Sequence, residues 1–230
     1  MATRPQPRLA IFDCDGTLVD SQANICVAME DAFTRAGLVP PARAAIRRIV
    51  GLSLVEAVAA LIPQADTGLH RSIAADYKAA FTRLRTSGTI APEPLFDGVE
   101  AALTTLADDG WLLGVATGKS DRGLNLLLAH HGLADRFVTL QTADRHPSKP
   151  DPAMALAALA EAGADPLGSV MIGDTSFDMA MGKAAGLRTI GVAWGYHDVA
   201  DLVAAGADVV ADHATALPRL MDRPQVMDQS

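Results

Sequence analysis

Four consecutive apolar residues, Leu9-Ala-Ile-Phe12, run without transition into Asp13-Cys14-Asp15-Gly16-Thr17, and this junction restricts the possible folds more than any other stretch. A short apolar run with no polar alternation reads as a strand buried on both faces, the pattern of a parallel sheet covered by helices. The acids then stand at a strand's C-terminal end. In open α/β sheets that edge binds ligands, beside the strand at which the winding reverses. If the backbone stays extended through Cys14, the period of two aims Asp13 and Asp15 one way and Cys14 the other. Gly16 permits an immediate turn that brings the backbone close to a ligand. Surface acids capping a helix are the ordinary alternative, but caps follow polar loops rather than buried strands.

Two carboxylates so close cannot comfortably both be ionised unless a cation lies between them or one holds a proton. A hard divalent cation such as Mg2+, which takes oxygen ligands and accompanies phosphate, meets the first condition. A protonated Asp able to act as general acid meets the second.

The chain has 230 residues, enough for one well-buried domain of roughly 150 residues and a smaller one. Half of it is hydrophobic, yet no run approaches the roughly 20 apolar residues that span a bilayer, so a soluble protein with no membrane partner is expected. Met1 to Arg8 is basic, but the apolar run after it is short and ends in acids, so no secretory signal is read. Cys14 and Cys26 are separated by a turn and a helical turn, which argues against a disulfide and for a reducing cytoplasm. A net charge of −8 argues against a nucleic-acid partner. The charge is unevenly placed: Ser21 to Gly88 carries eight Lys and Arg against five acids, +3, leaving −11 elsewhere. A basic segment in an acidic protein fits one part facing an anion held by the other, although a solvated helix face also explains it.

Residues 21–88 read as helix throughout. Asp20 or Ser21 caps a helix through Ala36 with Ile25, Met29, Ala32 and Phe33 on one stripe. A short helix follows Pro40-Pro41 and ends at Gly51; Ser53 and Glu56 form a capping box for the next, which Pro63 stops. Ile73, Tyr77, Ala80, Phe81 and Leu84 mark a long amphipathic helix ending near Gly88. From Pro92 strands alternate with helices, the mark of a parallel sheet covered on both sides. Helices are expected over 97–109, 120–131, 151–162 and 176–185, strands over 111–117, 137–142, 169–173, 189–193 and 208–211, then a terminal helix and a polar, frayed end from Asp222.

Strand ends concentrate the chemistry: Asp13 and Asp15, then Thr117-Gly118-Lys119-Ser120, then Gly173-Asp174-Thr175-Ser176-Phe177-Asp178, with Lys149 in a loop before the Ala-rich helix. A parallel sheet gathers such loops at one edge. Gly118-Lys119-Ser120 is not a nucleotide-binding P-loop, because the glycine required five residues before Gly118 is Leu113. Singly, Thr117 is an ordinary strand-end Thr, Lys149 a solvated turn lysine, and Asp174 and Asp178 a cap and a helix-face residue. Together they supply a nucleophile, an acid, a hydroxyl, a cation and metal ligands.

At this point the chain resembles the haloacid dehalogenase superfamily, in particular its phosphatases with a small helical cap such as phosphoglycolate phosphatases. The first motif, D-x-D-G-T-[LV]-x-D-S, runs unbroken from Asp13 to Ser21, and G-D-x-x-x-D stands as Gly173 to Asp178. The resemblance implies a Rossmann-like doubly wound core over residues 1–20 and 89–230 with an inserted all-helical cap over 21–88. It further implies Asp13 as nucleophile, Asp15 as general acid and base, and Thr117 and Lys149 as phosphate binders. Mg2+ would be held by Asp13, the Asp15 carbonyl and Asp174, with Asp178 supporting the metal or Lys149. Thr17, Gly118 and Lys119 are expected beside the substrate, a small phosphorylated metabolite, and Arg47 and Arg48, near Gly51 with Ser53, are the cap residues expected on its distal group. Hydrolysis through an aspartyl-phosphate is the expected reaction. A sugar phosphomutase is the alternative, and a two-component receiver, which lacks such an insert, is a more distant one.

Overall fold

The computed structural model describes residues 6–221; the expectations for the basic start and for the polar end from Asp222 fall wholly or largely outside them. Six strands, β1 Arg8–Phe12, β2 Trp111–Thr117, β3 Thr139–Thr142, β4 Val170–Gly173, β5 Arg188–Val192 and β6 Val209–Ala211, pair in parallel in the order β3-β2-β1-β4-β5-β6. The winding reverses beside β1, which pairs with β2 on one side and β4 on the other. Alternation along β1 divides the core as a doubly covered strand must. Leu9 and Ile11 pack with Met154, Ala155 and Ala158 of α7 (Ala153–Ala162) and Met181 of α8 (Ser176–Ala184). Ala10, Phe12 and Cys14 face the other layer, with Leu103 of the helix Val99–Asp108, Leu124 of the helix Asp121–His130 and Leu217 of the helix Leu217–Met221. A fully buried Phe at such a centre is worth about 3–5 kcal/mol against Ala.

Between β1 and the helix Val99–Asp108 lie four helices: α1 Gln22–Arg35, α2 Arg43–Arg47, α3 Leu54–Leu61 and α4 Thr67–Thr86. In chain order the later helices are α5 Val99–Asp108, α6 Asp121–His130, α7, α8, α9 Val199–Ala204 and α10 Leu217–Met221. The first four have their own core, where Ile25, Met29 and Phe33 of α1 meet Ile46, Val58 and Ile73. Tyr196, from the loop after β5, inserts into that cluster and ties it to the sheet.

Several local expectations differ from the structure, two of them where a tertiary contact replaces a local bond. Ser21 stands at the N-cap of α1 without capping it, because its hydroxyl bonds Asp15 instead. Ser53 has the extended backbone of an N-cap but makes no capping bond, so the box with Glu56 does not form. Asp97 does not cap α5; Gly98 occupies that position and Asp97 pairs with His213. The helix α2 is five residues long and stops before Gly51, β3 begins at Thr139 rather than Phe137, and the six-residue α9 was not expected at all.

Candidate active site

The floor of the site lies where the winding reverses. Asp13 leaves the end of β1 with its backbone N–H on the Ile172 carbonyl of β4 at 2.9 Å, so the acids after β1 and β4 become neighbours. Lys149 is fully buried and donates to Asp13 Oδ1 at 2.7 Å and to Asp178 Oδ1 at 2.6 Å. Asp178 is the third helical residue of α8, and its Oδ2 accepts from the backbone and hydroxyl of Thr175, a capping box that fixes the carboxylate toward Lys149. Asp174 accepts from the Thr17 hydroxyl at 2.8 Å and from the Tyr196 N–H at 2.9 Å. Space for it comes from two glycines: a Cβ at Gly16 or at Gly195 would stand 2.1 Å from Asp174 atoms, and Gly16 also adopts a left-handed φ of 89°.

Three buried carboxylates gather here around one buried ammonium, which pairs with two of them, Asp13 and Asp178. Burial pushes the Asp13 carboxyl up to about 7, opposed by Lys149 and reinforced by Asp178. Burial likewise raises Asp174, with Asp13 and Asp178 adding to it while Tyr196 and Thr17 oppose. Burial disfavours the charge on Lys149, but Asp13 and Asp178 outweigh it and hold that group above the ordinary lysine range. Asp13, Asp174 and Asp178 each offer an oxygen within 4.8 Å of the others, and Asp13 Oδ2 is buried with no partner. An all-oxygen donor set with an orphaned carboxylate oxygen and a shortage of positive charge fits Mg2+.

Above the floor, Asp15 is held by Lys119 Nζ at 2.6 Å and by the Ser21 hydroxyl. Its carboxyl therefore stands apart from the three-acid cluster, which leaves its carbonyl as the part that the resemblance assigns to the metal. The charge on Lys119 is disfavoured by burial, but Asp15, foremost among nearby groups, holds that ammonium above the ordinary lysine range. Thr117, buried at the end of β2, accepts from the Lys119 N–H at 3.2 Å, leaving its own hydroxyl hydrogen to donate. Thr17 is committed to Asp174 rather than open to the cleft. Gly118 sits in the seam with the helical segment: a Cβ there would lie 2.5 Å from the Leu52 carbonyl and 2.9 Å from that of Gly51.

A cavity of about 710 Å3 opens over Asp15 and Lys119, roofed by α3 and α4. The expectation for Arg47 and Arg48 is corrected here, since neither is among its lining residues. Arg48 turns outward to Asp201 of α9 at 2.9 Å and Asp198 at 3.9 Å, an ion pair with a helix the sequence reading did not anticipate. Cations do line the roof, but they are Arg71, Lys78 and Arg85 of α4. The seam is also closed by Ser53 N–H on Ser148 Oγ at 2.8 Å and by His197, whose ring bonds the Arg48 carbonyl and accepts from the Ser176 N–H. Tyr196 and His197 escaped the sequence reading although their loop follows β5 at the same sheet edge, a position that could have marked them.

These features are those of one known class. A family model described as haloacid dehalogenase-like hydrolase matches residues 10–192, and the chain belongs to that family. A protein named "Probable phosphatase IndB" from Dickeya dadantii is 37% identical over 208 residues, 89% of either chain. A phosphoglycolate phosphatase from Rhodospirillum rubrum is 35% identical over 230 residues, covering 95% of this chain and 92% of that one. Among solved structures, a hydrolase from Pseudomonas syringae superposes with a TM-score of 0.82 at 24% identity, over 96% of this chain and all of that one, a likeness of fold.

Proposed function

We propose that the protein is a Mg2+-dependent phosphatase that hydrolyses a small phosphate monoester through an aspartyl-phosphate on Asp13. The observation that carries this is the state of Asp13, with Oδ1 fixed by buried Lys149 and Oδ2 buried and unpartnered. The names of the relatives from Dickeya dadantii and Rhodospirillum rubrum support the reaction class.

Asp13, the Asp15 carbonyl and Asp174, with Asp178 in support, would hold Mg2+, which would offset the repulsion between a carboxylate and a phosphate dianion. Lys149 and the Thr117 hydroxyl hold phosphate oxygens, and the Asp13 carboxylate attacks phosphorus as the ester P–O bond breaks. Asp15, oriented by Ser21 and Lys119, gives its proton to the leaving alkoxide. The resulting carboxylate then takes a proton from the water that attacks the aspartyl-phosphate, which releases inorganic phosphate and restores both acids. Residues 21–88 act as a cap over a catalytic unit formed by 1–20 and 89–230. We place the reaction in the cytoplasm, in keeping with the free, buried thiols of Cys14 and Cys26.

A panel of small phosphate esters with Mg2+ tests the reading. Sustained release of inorganic phosphate is expected, abolished by chelation and restored by Mg2+. Isomerisation of a sugar phosphate with little phosphate released would establish the phosphomutase instead, and cessation after about one phosphoryl group per chain would establish a receiver.

A further inference from the structure

The loop after β5 carries Tyr196 into two environments at once. On the floor, its backbone N–H donates to Asp174 Oδ2 at 2.9 Å. Its ring lies in the core of the helical segment, in one cluster with Ile25, Met29 and Phe33 of α1 and with Ile46 and Val58. Held at both ends, the residue brings its hydroxyl to Ser21, which is itself buried. The phenol oxygen accepts from the Ser21 N–H at 3.2 Å and lies 3.4 Å from Ser21 Oγ. Ser21 in turn donates its hydroxyl hydrogen to Asp15 Oδ1. A serine hydroxyl has one hydrogen to give, and a phenol keeps its own at neutral pH, so Tyr196 is the donor between the two hydroxyls. The chain of hydrogen bonds therefore runs one way, from Tyr196 through Ser21 to Asp15.

The direction of that chain matters for an acid. Asp15 Oδ1 receives hydrogens from both Ser21 Oγ and Lys119 Nζ, so a proton carried by this carboxyl belongs on Oδ2. Ser21 gives up a local bond to do this. It stands at the N-cap of α1 without capping it, and a serine cap is worth about 1 kcal/mol to a helix. Two bonds to the Tyr196 hydroxyl, one from its N–H and one to its Oγ, hold it away from that cap. We propose that Tyr196 is a positioning residue for the acid step: acting through Ser21, it keeps Asp15 Oδ1 an acceptor, so that the proton for the leaving group is carried on Oδ2. This rests on the phosphatase reading of the site. As the bond from Asp13 to phosphorus forms and the ester P–O bond breaks, the Oδ2 proton passes to the departing oxygen, and Tyr196 itself neither gains nor loses one.

The test is the dependence of kcat/KM, measured with Mg2+, on the leaving group. Phenyl phosphate and 4-nitrophenyl phosphate are alike in shape, but the nitro group spreads the charge of the departing oxygen and spares it the proton that phenoxide calls for. Tyr196→Phe keeps the ring in its cluster and the N–H on Asp174 and removes only the hydroxyl. It should lower kcat/KM for phenyl phosphate by about 10-fold and for the nitrophenyl ester by less than about twofold, a shift of about fivefold or more in their ratio. Ser21→Ala should shift the ratio the same way. On phenyl phosphate the double variant should be no worse than Ser21→Ala alone, because Tyr196 acts only through Ser21. Equal losses on both esters in Tyr196→Phe would show that the residue merely supports packing, and no loss on either would show that its hydroxyl takes no part. Losses that add in the double variant would remove it from the chain to Asp15. Each of these overturns the inference while leaving the phosphatase reading intact. Phosphate from neither ester with the wild-type protein would remove that reading and the inference with it.

Discussion

The floor and the roof of this cleft are built on opposite plans. On the floor, Asp13, Lys149, Asp174 and Asp178 are all but fully buried, and their partners come from the loops after β1, β3 and β5 and from the start of α8. In the roof, Arg71 and Lys78 are exposed and Ser53 makes no capping bond. The difference separates two demands on an enzyme. Groups that move charge must be held in place before substrate arrives, because reorganising them during reaction would raise the barrier. Groups that choose the substrate can wait for it. Changes in the floor should therefore act as switches and changes in the roof as dials.

The sharpest test is Asp13→Asn, which removes the proposed nucleophile while leaving a group that can still accept from Lys149. Turnover should fall by about 10^4-fold or more with the circular dichroism spectrum intact. Retention of even a tenth of the activity would show that Asp13 forms no covalent intermediate. Next in size, Lys149→Met strands Asp13 and Asp178 in a buried site and should cost about 3–5 kcal/mol in urea unfolding. A loss under about 1 kcal/mol would mean that the floor tolerates disorder as the roof does.

Metal and pH should act on the floor together. Without a cation the folded Asp13 carboxyl, raised from 3.8 to about 7, keeps a proton that the unfolded chain has lost. Folding then binds protons in that window, so metal-free stability should fall as pH rises through it. Thermal melts should show Mg2+ raising Tm more at pH 8 than at pH 5; equal shifts would remove Asp13 from the metal site. In the roof, Arg71→Ala and Arg85→Ala should each lower kcat/KM by only about two- to fivefold at low salt, an effect that vanishes near 0.5 M salt. A salt-independent loss would point to direct contact instead. The smallest effect belongs to the seam. Burial lowers the His197 pKa below 6.5, and the neutral ring accepts from Ser176 while bonding the Arg48 carbonyl. A depressed histidine favours folding above its unfolded value, so this contribution should be complete above about pH 6.5 and fade as pH falls. His197→Gln should flatten that slope.

The sequence disclosed the sheet and its catalytic edge because both depend on short-range rules. Alternation along Leu9-Ala-Ile-Phe12 assigned two buried faces, and an abrupt stop in acids marked the ligand edge, so the meeting of Asp13, Lys149, Asp174 and Asp178 was legible. The roof was not. Whether Ser53 caps α3, or Arg48 faces substrate rather than Asp201, depends on how the helical segment lies against the sheet, and no local period encodes that.

Gly118 touches the carbonyls of Gly51 and Leu52, main chain against main chain. A single methyl group at that position would act as a doorstop, holding the helical segment ajar by roughly the 1 Å that an ordinary carbon–oxygen contact requires. The fit of the helical segment is thus set at this point by a side chain reduced to hydrogen, and substituting it offers a way to widen the entrance while Asp13, Asp15, Lys149 and Asp174 stay in place.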